Sequence, residues 1–400
     1  MPTLATKSRV PHLPTSSKWV QENFRVGEVL GSGSFGNVYK IECLREPCTL
    51  YAMKELARSN LPSFIAAELR TLRKYGGVHN IVGIHAAHRE EDRVFIVMDY
   101  FEHTPTRDFI GSITVPEILD YMKHLLDALR YLHGKGIIHR DVKPSNFLYN
   151  RAKHKYCLID FGLCEEIPRG QSPMKYVRNH DKSREQSVSK ALRVWNRNKD
   201  DIEKQAEKWG TEVCKCYGFP RVCNICTKRP RLNVNKAGTP GFRAPEVLLK
   251  FESQTSLLDI WSAGITFLSL ICHKHPVMRP DDDFEAIAQM ATIFGSDAMV
   301  QVARKNNSLL LTSWNFRGLD LVKFVNAIRN ESLPDQSHYC DSCRNLFFGN
   351  YGAKCLCVTS EEYSLRELAP DERQVFEILK KCLIVDPEVR YSAEMLSSFF

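Results

Sequence analysis

No long uninterrupted run of apolar residues occurs in this sequence, so none of its segments is expected to cross a lipid bilayer. The first twenty residues contain three prolines and no apolar stretch, and they therefore predict no secretory signal. The chain is accordingly expected to lie inside the cell, without membrane contact. Its net charge of +8 is modest and does not by itself indicate a nucleic-acid-binding protein, so no direct nucleic-acid binding is expected.

A disulfide framework is not expected in such a reducing compartment, although the chain contains 14 cysteines. Clustered cysteines inside a cell more often bind a metal. With 400 residues the chain is longer than one ordinary domain, and its hydrophobic content of 43 % is ample for a large core. Tails or insertions are therefore expected in addition to the core.

The most informative motif is the run 139–146, His-Arg-Asp-Val-Lys-Pro-Ser-Asn, which is followed by Asp-Phe-Gly at 160–162. Phosphoryl transfer from ATP needs a carboxylate that orients the attacking hydroxyl, and an amide and a second carboxylate that hold Mg²⁺. Asp141 suits the first role, and Asn146 and Asp160 suit the second. The order and spacing of these residues predict a protein kinase that uses ATP and Mg²⁺.

A glycine-rich turn lies upstream of this motif, between two strand-like runs, and predicts a hairpin that closes over phosphates. A glycine pattern of this kind is weak evidence alone, because dinucleotide-binding folds use one too. The next strand-like run ends in Lys54, which is expected to reach the α- and β-phosphates. The residues assigned to nucleotide binding in this region are Gly31, Gly33, Gly36, Val38, Ala52 and Lys54.

Residues 63–75 have apolar side chains spaced for one buried face of a helix. Glu68 lies within this predicted helix and is our choice for an ion pair with Lys54, ahead of Glu55 and Glu91. Downstream, a buried-strand run ends at Met98, which is expected to line the back of the adenine pocket or to be core only. Tyr100 follows in the predicted hinge that binds adenine.

The end of the activation segment is predicted at 238–246, Gly-Thr-Pro-Gly-Phe-Arg-Ala-Pro-Glu. Asp259 is expected to brace the catalytic loop, and Arg390 is expected to pair with Glu246. Lys143, two residues after Asp141, is typical of serine/threonine kinases and is expected to stabilise the γ-phosphate. Since every catalytic position carries its expected residue type, the alternative of a non-catalytic scaffold is disfavoured.

The predicted fold class is α+β, a bilobal protein-kinase fold with a small β-rich N-lobe, a larger helical C-lobe and two cysteine-bearing insertions. The expected organisation is an N-terminal tail at 1–23, the N-lobe and hinge at 24–101, and the C-lobe at 102–400. The insertions are expected at 163–237 and at about 300–366. The middle of the first insertion is polar and basic, with little apolar content.

Each predicted insertion carries two close pairs of cysteines, which is the ligand set of a tetrahedral Zn²⁺ site. Structural cysteines without a metal are the alternative, and His338 is a possible further ligand in the second insertion. The predicted ligands are Cys214, Cys216, Cys223 and Cys226 for the first zinc, and Cys340, Cys343, Cys355 and Cys357 for a possible second zinc.

The run 139–150, the helix around Glu68 and the segment 238–246, together with the cysteine-bearing first insertion, resemble the cell-division-cycle-seven kinase family. The resemblance covers roughly residues 24–400. It implies a nuclear serine/threonine kinase that needs a Dbf-four-type regulatory subunit. The implied substrates are Mcm subunits of the replicative helicase, at Ser or Thr followed by an acidic or phosphorylated residue. A kinase of another branch, related to the cyclin-dependent or casein kinases, is the alternative.

The acidic preference also has a basis in the residues themselves. Lys236 and Arg243 flank Thr239 in the strip that is expected to face the residue after the acceptor, and two cations there would favour a carboxylate or phosphate. These three residues are the predicted substrate-binding residues, although Arg243 could instead only brace the activation segment. Arg140 could receive an activating phosphate, but between Cys226 and Gly238 only Thr227 bears a hydroxyl. Activation by a bound subunit is therefore the favoured hypothesis.

Overall fold

A computed structural model of the chain describes residues 16–33, 36–56, 61–167, 238–251, 253–306, 308, 310, 312, 315–329, 356–358, 365 and 367–400. These residues divide into two compact units. The first consists of the described residues of Met1–Thr104 and Asn146–Glu165, and the second consists of those of Pro105–Ser145 and Glu166–Phe400.

Regular elements in the described residues are strands and helices up to residue 166, and only helices after it. The strands are β1 Phe24–Gly33, β2 Gly36–Cys43, β3 Leu50–Leu56, β4 Ile84–Glu90, β5 Arg93–Asp99, β6 Ile137–Ile138, β7 Phe147–Asn150, β8 Lys155–Leu158 and β9 Glu165–Glu166. The helices are α1 Lys18–Asn23, α2 Pro62–Tyr75, α3 Thr106–Phe109, α4 Val115–Gly134, α5 Pro245–Leu248, α6 Leu257–Ile271, α7 Asp283–Phe294, α8 Ser296–Lys305, α9 Leu321–Ile328, α10 Pro370–Cys382 and α11 Ala393–Ser397.

The first unit is built on a five-stranded antiparallel sheet in the order β1-β2-β3-β5-β4. Alternate side chains of the strands point to one face, as the pleat requires, and pack there into an apolar core. The members of this core with almost no exposed surface are Val20, Tyr39, Ile41, Met53, Phe95 and Val97. Lys54 lies on the central strand β3, so its position is fixed by a partner strand on either side.

Helix α1 closes the same core from the N-terminal side. Ser17 caps it by accepting a hydrogen bond from the Val20 amide, and the Val20 side chain is 1 % exposed. Trp19 stacks on His88 with ring centroids 4.5 Å apart. Residues 16–23 therefore pack with the first unit, within the range of the tail predicted at 1–23. Six helical residues are too few for a periodic signal in the sequence.

The hairpin of β7 and β8 also belongs to the first unit, which the predicted boundary at 101 did not anticipate. Main-chain hydrogen bonds attach it there: Leu158 N donates to Asn80 O at 2.6 Å, and Val82 N donates to Leu158 O at 3.1 Å. Thr104 N donates to Tyr149 O at 2.8 Å. A boundary drawn along the sequence cannot represent a hairpin that returns to an earlier segment.

The second unit is helical and is organised around α6. Nearly every residue of α6 is buried, as expected for a helix with apolar residues on all sides. Helices α4 and α10 pack against it, and α11 packs against α4. A capping box between Thr114 and Glu117 begins α4, and Asp282 caps α7 by accepting from two main-chain amides. The predicted α+β class, with a β-rich unit and a helical unit, is confirmed.

Several predicted boundaries shift. The helix predicted at 63–75 spans Pro62–Tyr75. Part of the second predicted insertion, about 300–366, is packed into the second unit, because α9 carries Val325 at 0 % exposure. Most of the first insertion lies outside the described residues. Among the helices that are described, none has the length and apolar character needed to cross a membrane.

Candidate active site

Lys54 lies between two carboxylates in the first unit. Its Nζ is 2.6 Å from Glu68 Oε1 and 2.8 Å from Asp160 Oδ1. Lys54 is 5 % exposed and Glu68 is 2 % exposed, so the pair is shielded from water. Glu55, the first competitor of Glu68, instead binds Arg93 at 2.8 Å. The structure thus brings Lys54, Glu68 and Asp160 together from a strand, a helix and the segment after β8.

The charges of this trio favour the ionised lysine. Burial alone would lower the pKa of Lys54, but the nearby Glu68 and Asp160 carboxylates outweigh burial and raise the pKa. Lys54 therefore stays positively charged at neutral pH. A fixed positive charge at this position is suited to bind phosphate oxygens.

The glycine-rich turn is shaped by a close approach of the main chain. Gly33, the last residue of β1, and Gly36, the first residue of β2, are register partners, and Gly36 has a φ of +135°. A Cβ atom at Gly36 would lie 1.9 Å from the carbonyl oxygen of Glu55, so only glycine fits. The two residues between these glycines lie outside the described residues. Gly31 pairs with Val38 two register steps further from the turn.

The residues assigned to adenine cluster where β2, β3 and β5 are adjacent. Ala52 and Met98 are register partners and are 9 % and 8 % exposed. Tyr100 follows β5, and the Nζ atom of Lys40 lies 4.8 Å from the centroid of its ring. Apolar side chains at these places are suited to contact a flat aromatic base.

Asn146 and Asp160 lie at the open end of the β7–β8 hairpin. Asn146 directly precedes β7, and its main-chain oxygen accepts a hydrogen bond from Ile159 N at 2.8 Å. Asp160 has a φ of +63°, a strained conformation that its surroundings must hold in place. An amide oxygen and a carboxylate from two adjoining segments suit Mg²⁺, which prefers oxygen ligands and keeps few protein ligands beside phosphates.

In the second unit, Asp141 is at the centre of a hydrogen-bonded cluster. Its Oδ1 accepts from Thr239 Oγ1 at 2.6 Å and from Thr239 N at 3.0 Å. Lys143 Nζ donates to Asp141 Oδ2 at 2.8 Å and to Thr239 Oγ1 at 2.7 Å. The structure therefore brings together the predicted acid–base residue, the predicted phosphate-binding lysine and one predicted substrate-strip residue.

Asp259 holds the catalytic loop through its main chain. It accepts from His139 N at 2.8 Å, from Arg140 N at 2.7 Å and from His133 Nε2 at 2.9 Å. Burial opposes ionisation of this carboxyl, but the hydrogen bond and charge of His133 and the hydrogen bond from His139 lower its pKa overall. His133 was not predicted, since a histidine inside an apolar helix usually signals only packing.

Two further arginines shape the second unit. Arg390 donates to both carboxylate oxygens of Glu246, at 2.7 and 3.0 Å, which is the predicted structural pair. Arg243 donates to Gly238 O at 2.9 Å and to Asp283 Oδ1 at 2.6 Å. These contacts favour the alternative that Arg243 braces the activation segment. Lys236 lies outside the described residues.

The predicted zinc ligands are almost all outside the described residues. The exception is Cys357, which is 3 % exposed and forms an antiparallel bridge with Leu319. Within the described part of the chain, no three His, Cys, Asp or Glu side chains are grouped as metal ligands. The other seven predicted ligands, and with them both zinc sites, stay predictions.

The strand-borne lysine paired with a helical glutamate, and an aspartate held beside a lysine in the catalytic loop, are features of a protein kinase. A family model described as "Protein kinase domain" matches residues 24–181 and 217–399. The unmatched stretch between these ranges falls inside the predicted first insertion.

Similar proteins narrow this class. A human protein named "Cell division cycle 7-related protein kinase" is 30 % identical over an alignment of 410 residues. The alignment covers 76 % of this chain and 71 % of the relative. The "Cell cycle serine/threonine-protein kinase hsk1" of Schizosaccharomyces pombe is 30 % identical over 408 residues, covering 94 % and 71 %. A "Probable cell division control protein 7 homolog 2" of Encephalitozoon cuniculi is 34 % identical over 279 residues, covering 69 % and 72 %. The chain therefore belongs to the Cdc7-related serine/threonine protein kinases.

Proposed function

We propose that this kinase phosphorylates Mcm subunits of the replicative helicase, and that it does so when bound to a Dbf-four-type regulatory subunit. The acceptor would be a serine or threonine followed by an acidic or phosphorylated residue. The observation that carries the proposal is the Asp141–Lys143–Thr239 cluster, because it presents a carboxylate and a cation together at Thr239, a residue of the predicted substrate strip.

The chemistry assigned to this chain follows from charge and position. Lys54, held by Glu68, binds the α- and β-phosphates, and Lys143 binds the transferred phosphate. Asp141 orients the acceptor hydroxyl and takes its proton. Catalysis of this kind consists of positioning and electrostatic stabilisation, so no nucleophilic enzyme residue is required.

Asn146 and Asp160 would hold Mg²⁺ in this reaction. When bound, the ion supplies positive charge beside the phosphate oxygens. The residues contribute by their placement: one main-chain hydrogen bond joins the two segments that carry them, and the Lys54 ion pair orients Asp160.

The regulatory subunit would act on helix α2. Pro62 and Ser63, the first two residues of α2, are exposed, and Leu61 beside them is 57 % exposed, so this end of the helix has apolar surface left to bury. A partner that covers this surface would hold Glu68 against Lys54. We further propose that the cysteine clusters bind structural Zn²⁺, as the spacing of their cysteine pairs indicates, and that the protein works in the nucleus, as the resemblance implies.

The decisive experiment uses an acidic Mcm tail peptide with Mg-ATP. The complete chain is assayed alone and with a Dbf-four-type subunit, and a peptide with the acidic residue replaced by alanine serves as the control. We expect phosphorylation of the acidic peptide that rises strongly when the subunit is added. Equal activity without the subunit would contradict the activation mode, and preference for a proline-directed or distal-acidic peptide would assign the enzyme to another kinase branch.

A further inference from the structure

We infer that Gln254 is a positioning residue for Asp141. It holds the guanidinium of Arg140, the residue before Asp141, through a neutral amide. In many kinases a phosphate on the activation segment binds the corresponding arginine. In this chain the Gln254 amide takes the place of that phosphate. The inference concerns the kinase reaction itself, and it does not depend on the identity of the substrate or partner.

The contact is short and charge-assisted. Arg140 Nη1 donates to Gln254 Oε1 at 2.8 Å, and the two residues are 114 positions apart in the sequence. A hydrogen bond from a guanidinium is stronger than one between neutral groups, and partial burial shields this one from water. Gln254 is therefore able to fix the direction of the arginine side chain.

The glutamine amide is itself held in one orientation. Its Nε2 donates to the main-chain oxygen of Phe251 at 3.3 Å, so its Oε1 faces Arg140. Phe251 is 2 % exposed and anchors the loop that precedes α6. Thr255, next to Gln254, accepts from Leu257 N at the start of that helix. The acceptor is thus presented by a braced loop.

Gln254 and Asp259, five positions apart, hold the same arginine by different atoms. Gln254 binds the guanidinium, while Asp259 accepts from the main-chain amide of Arg140 at 2.7 Å. This double hold matters because Arg140 has a φ of +71°, a left-handed conformation that persists only when its surroundings impose it.

The backbone conformation of Arg140 affects the positions of both Asp141 and Thr239. Asp141 follows it directly, and a Cβ atom at Gly238 would lie 2.8 Å from the Arg140 carbonyl oxygen. Gly238 precedes Thr239, which is hydrogen-bonded to Asp141. If Arg140 leaves this backbone conformation, Asp141 and Thr239 are no longer held in position relative to each other. Turnover then falls even when ATP binds normally.

The test measures kcat and KM of the complete chain, with its regulatory subunit where the wild type requires one. Gln254→Met keeps the length of the side chain but removes the acceptor, and we expect kcat to fall about tenfold with the KM for ATP changed less than about twofold. Gln254→Glu keeps an acceptor oxygen and is expected to recover most of the loss. Gln289→Met, which removes an amide that donates only to Glu285 in the contacts described, is the matched control and should leave kcat unchanged.

A double mutant separates positioning from general weakening of the fold. If Gln254 acts through Arg140, adding Gln254→Met to Arg140→Ala should lower kcat no further. Multiplied losses, or an unchanged kcat in Gln254→Met, would overturn the inference. Wild-type enzyme stripped by a phosphatase should keep its kcat within about twofold, whereas loss of activity would show that a phosphate, and not the amide, holds Arg140.

Discussion

The functional residues of the first unit and those of the second unit are held by different kinds of contact. Lys54, Glu68 and Asp160 meet only through side chains that come from three separate elements. The catalytic loop of the second unit is instead fixed through its main chain, by a carboxylate of Asp259 that has no exposed surface. We call the first set adjustable, because a small shift of helix α2 would separate its members. We call the second set preformed, because main-chain hydrogen bonds hold it.

This contrast indicates where regulation should act. Helix α2 is linked to the segment after Asp160 by the Lys54 bridge and by a contact of 3.4 Å between Thr71 Oγ1 and Cys164 Sγ. Burial raises the pKa of the Cys164 thiol to about 11, so this contact is between neutral groups and is weak. An activating partner would gain most by stabilising α2 and least by touching the catalytic loop.

The largest effect is expected from Asp141→Asn, which tests the preformed set. The amide keeps the size of the side chain and still accepts from Thr239, but it cannot take a proton. We expect kcat to fall by about 10²–10⁴-fold, the usual contribution of a general base. Single-turnover kinetics with and without the regulatory subunit measure the loss. Restoration of activity by the subunit would contradict the view that this set is already in place.

Glu68→Gln tests the adjustable set and should have the next largest effect. It removes the charge that orients Lys54, and we expect kcat/KM to fall about 10- to 100-fold in the chain alone. The subunit should recover part of this loss, because it would hold α2 by other contacts. Glu55→Gln is the matched control, since Glu55 is next to Lys54 in the strand but binds Arg93. Equal losses in both variants would show that the ion pair has no special role.

The sequence predicted the residues whose chemistry restricts the residue type. Lys54, Asp141 and Asp160 belong to motifs with fixed spacing, because phosphate, metal and hydroxyl each require one kind of group. The α+β class followed from the same motifs. Glu68 could be chosen from its place in a periodic helix.

The residues that support these groups could not be predicted in the same way. Gln254 contacts Arg140 across 114 positions, and Asp283 contacts Arg243 across 40. Such contacts depend on how loops pack, and many residue types can serve in them. Asp283 is one of three consecutive aspartates, 281–283. The sequence alone does not indicate which of the three would bind an arginine.

Thr239→Val should have a smaller effect, again within the preformed set. Valine has the shape of threonine but removes the hydroxyl that joins Asp141 and Lys143, while the main-chain hydrogen bond to Asp141 remains. We expect kcat to fall about tenfold. Thr292→Val is the control, because Thr292 bonds only within its helix in the contacts described. A loss of thermal stability equal in both variants, without a difference in kcat, would assign Thr239 a purely structural role.

Arg243→Ala is expected to have the smallest effect, and it decides whether the substrate strip belongs to the preformed set. If Arg243 reads the residue after the acceptor, the preference for an acidic over a neutral peptide should fall about fivefold. If it only braces Gly238 against Asp283, both peptides should lose equally, and Asp283→Asn should reproduce the loss. The ratio of kcat/KM for the two peptides distinguishes these outcomes.

Arg243 already donates to Asp283 at 2.6 Å. If Arg243 also recognises the residue after the acceptor, its other donor groups must bind the acidic side chain while the contact with Asp283 remains. The substrate would then be recognised by a residue whose position is fixed in advance, as Asp141 is, and not by one that must be brought into place.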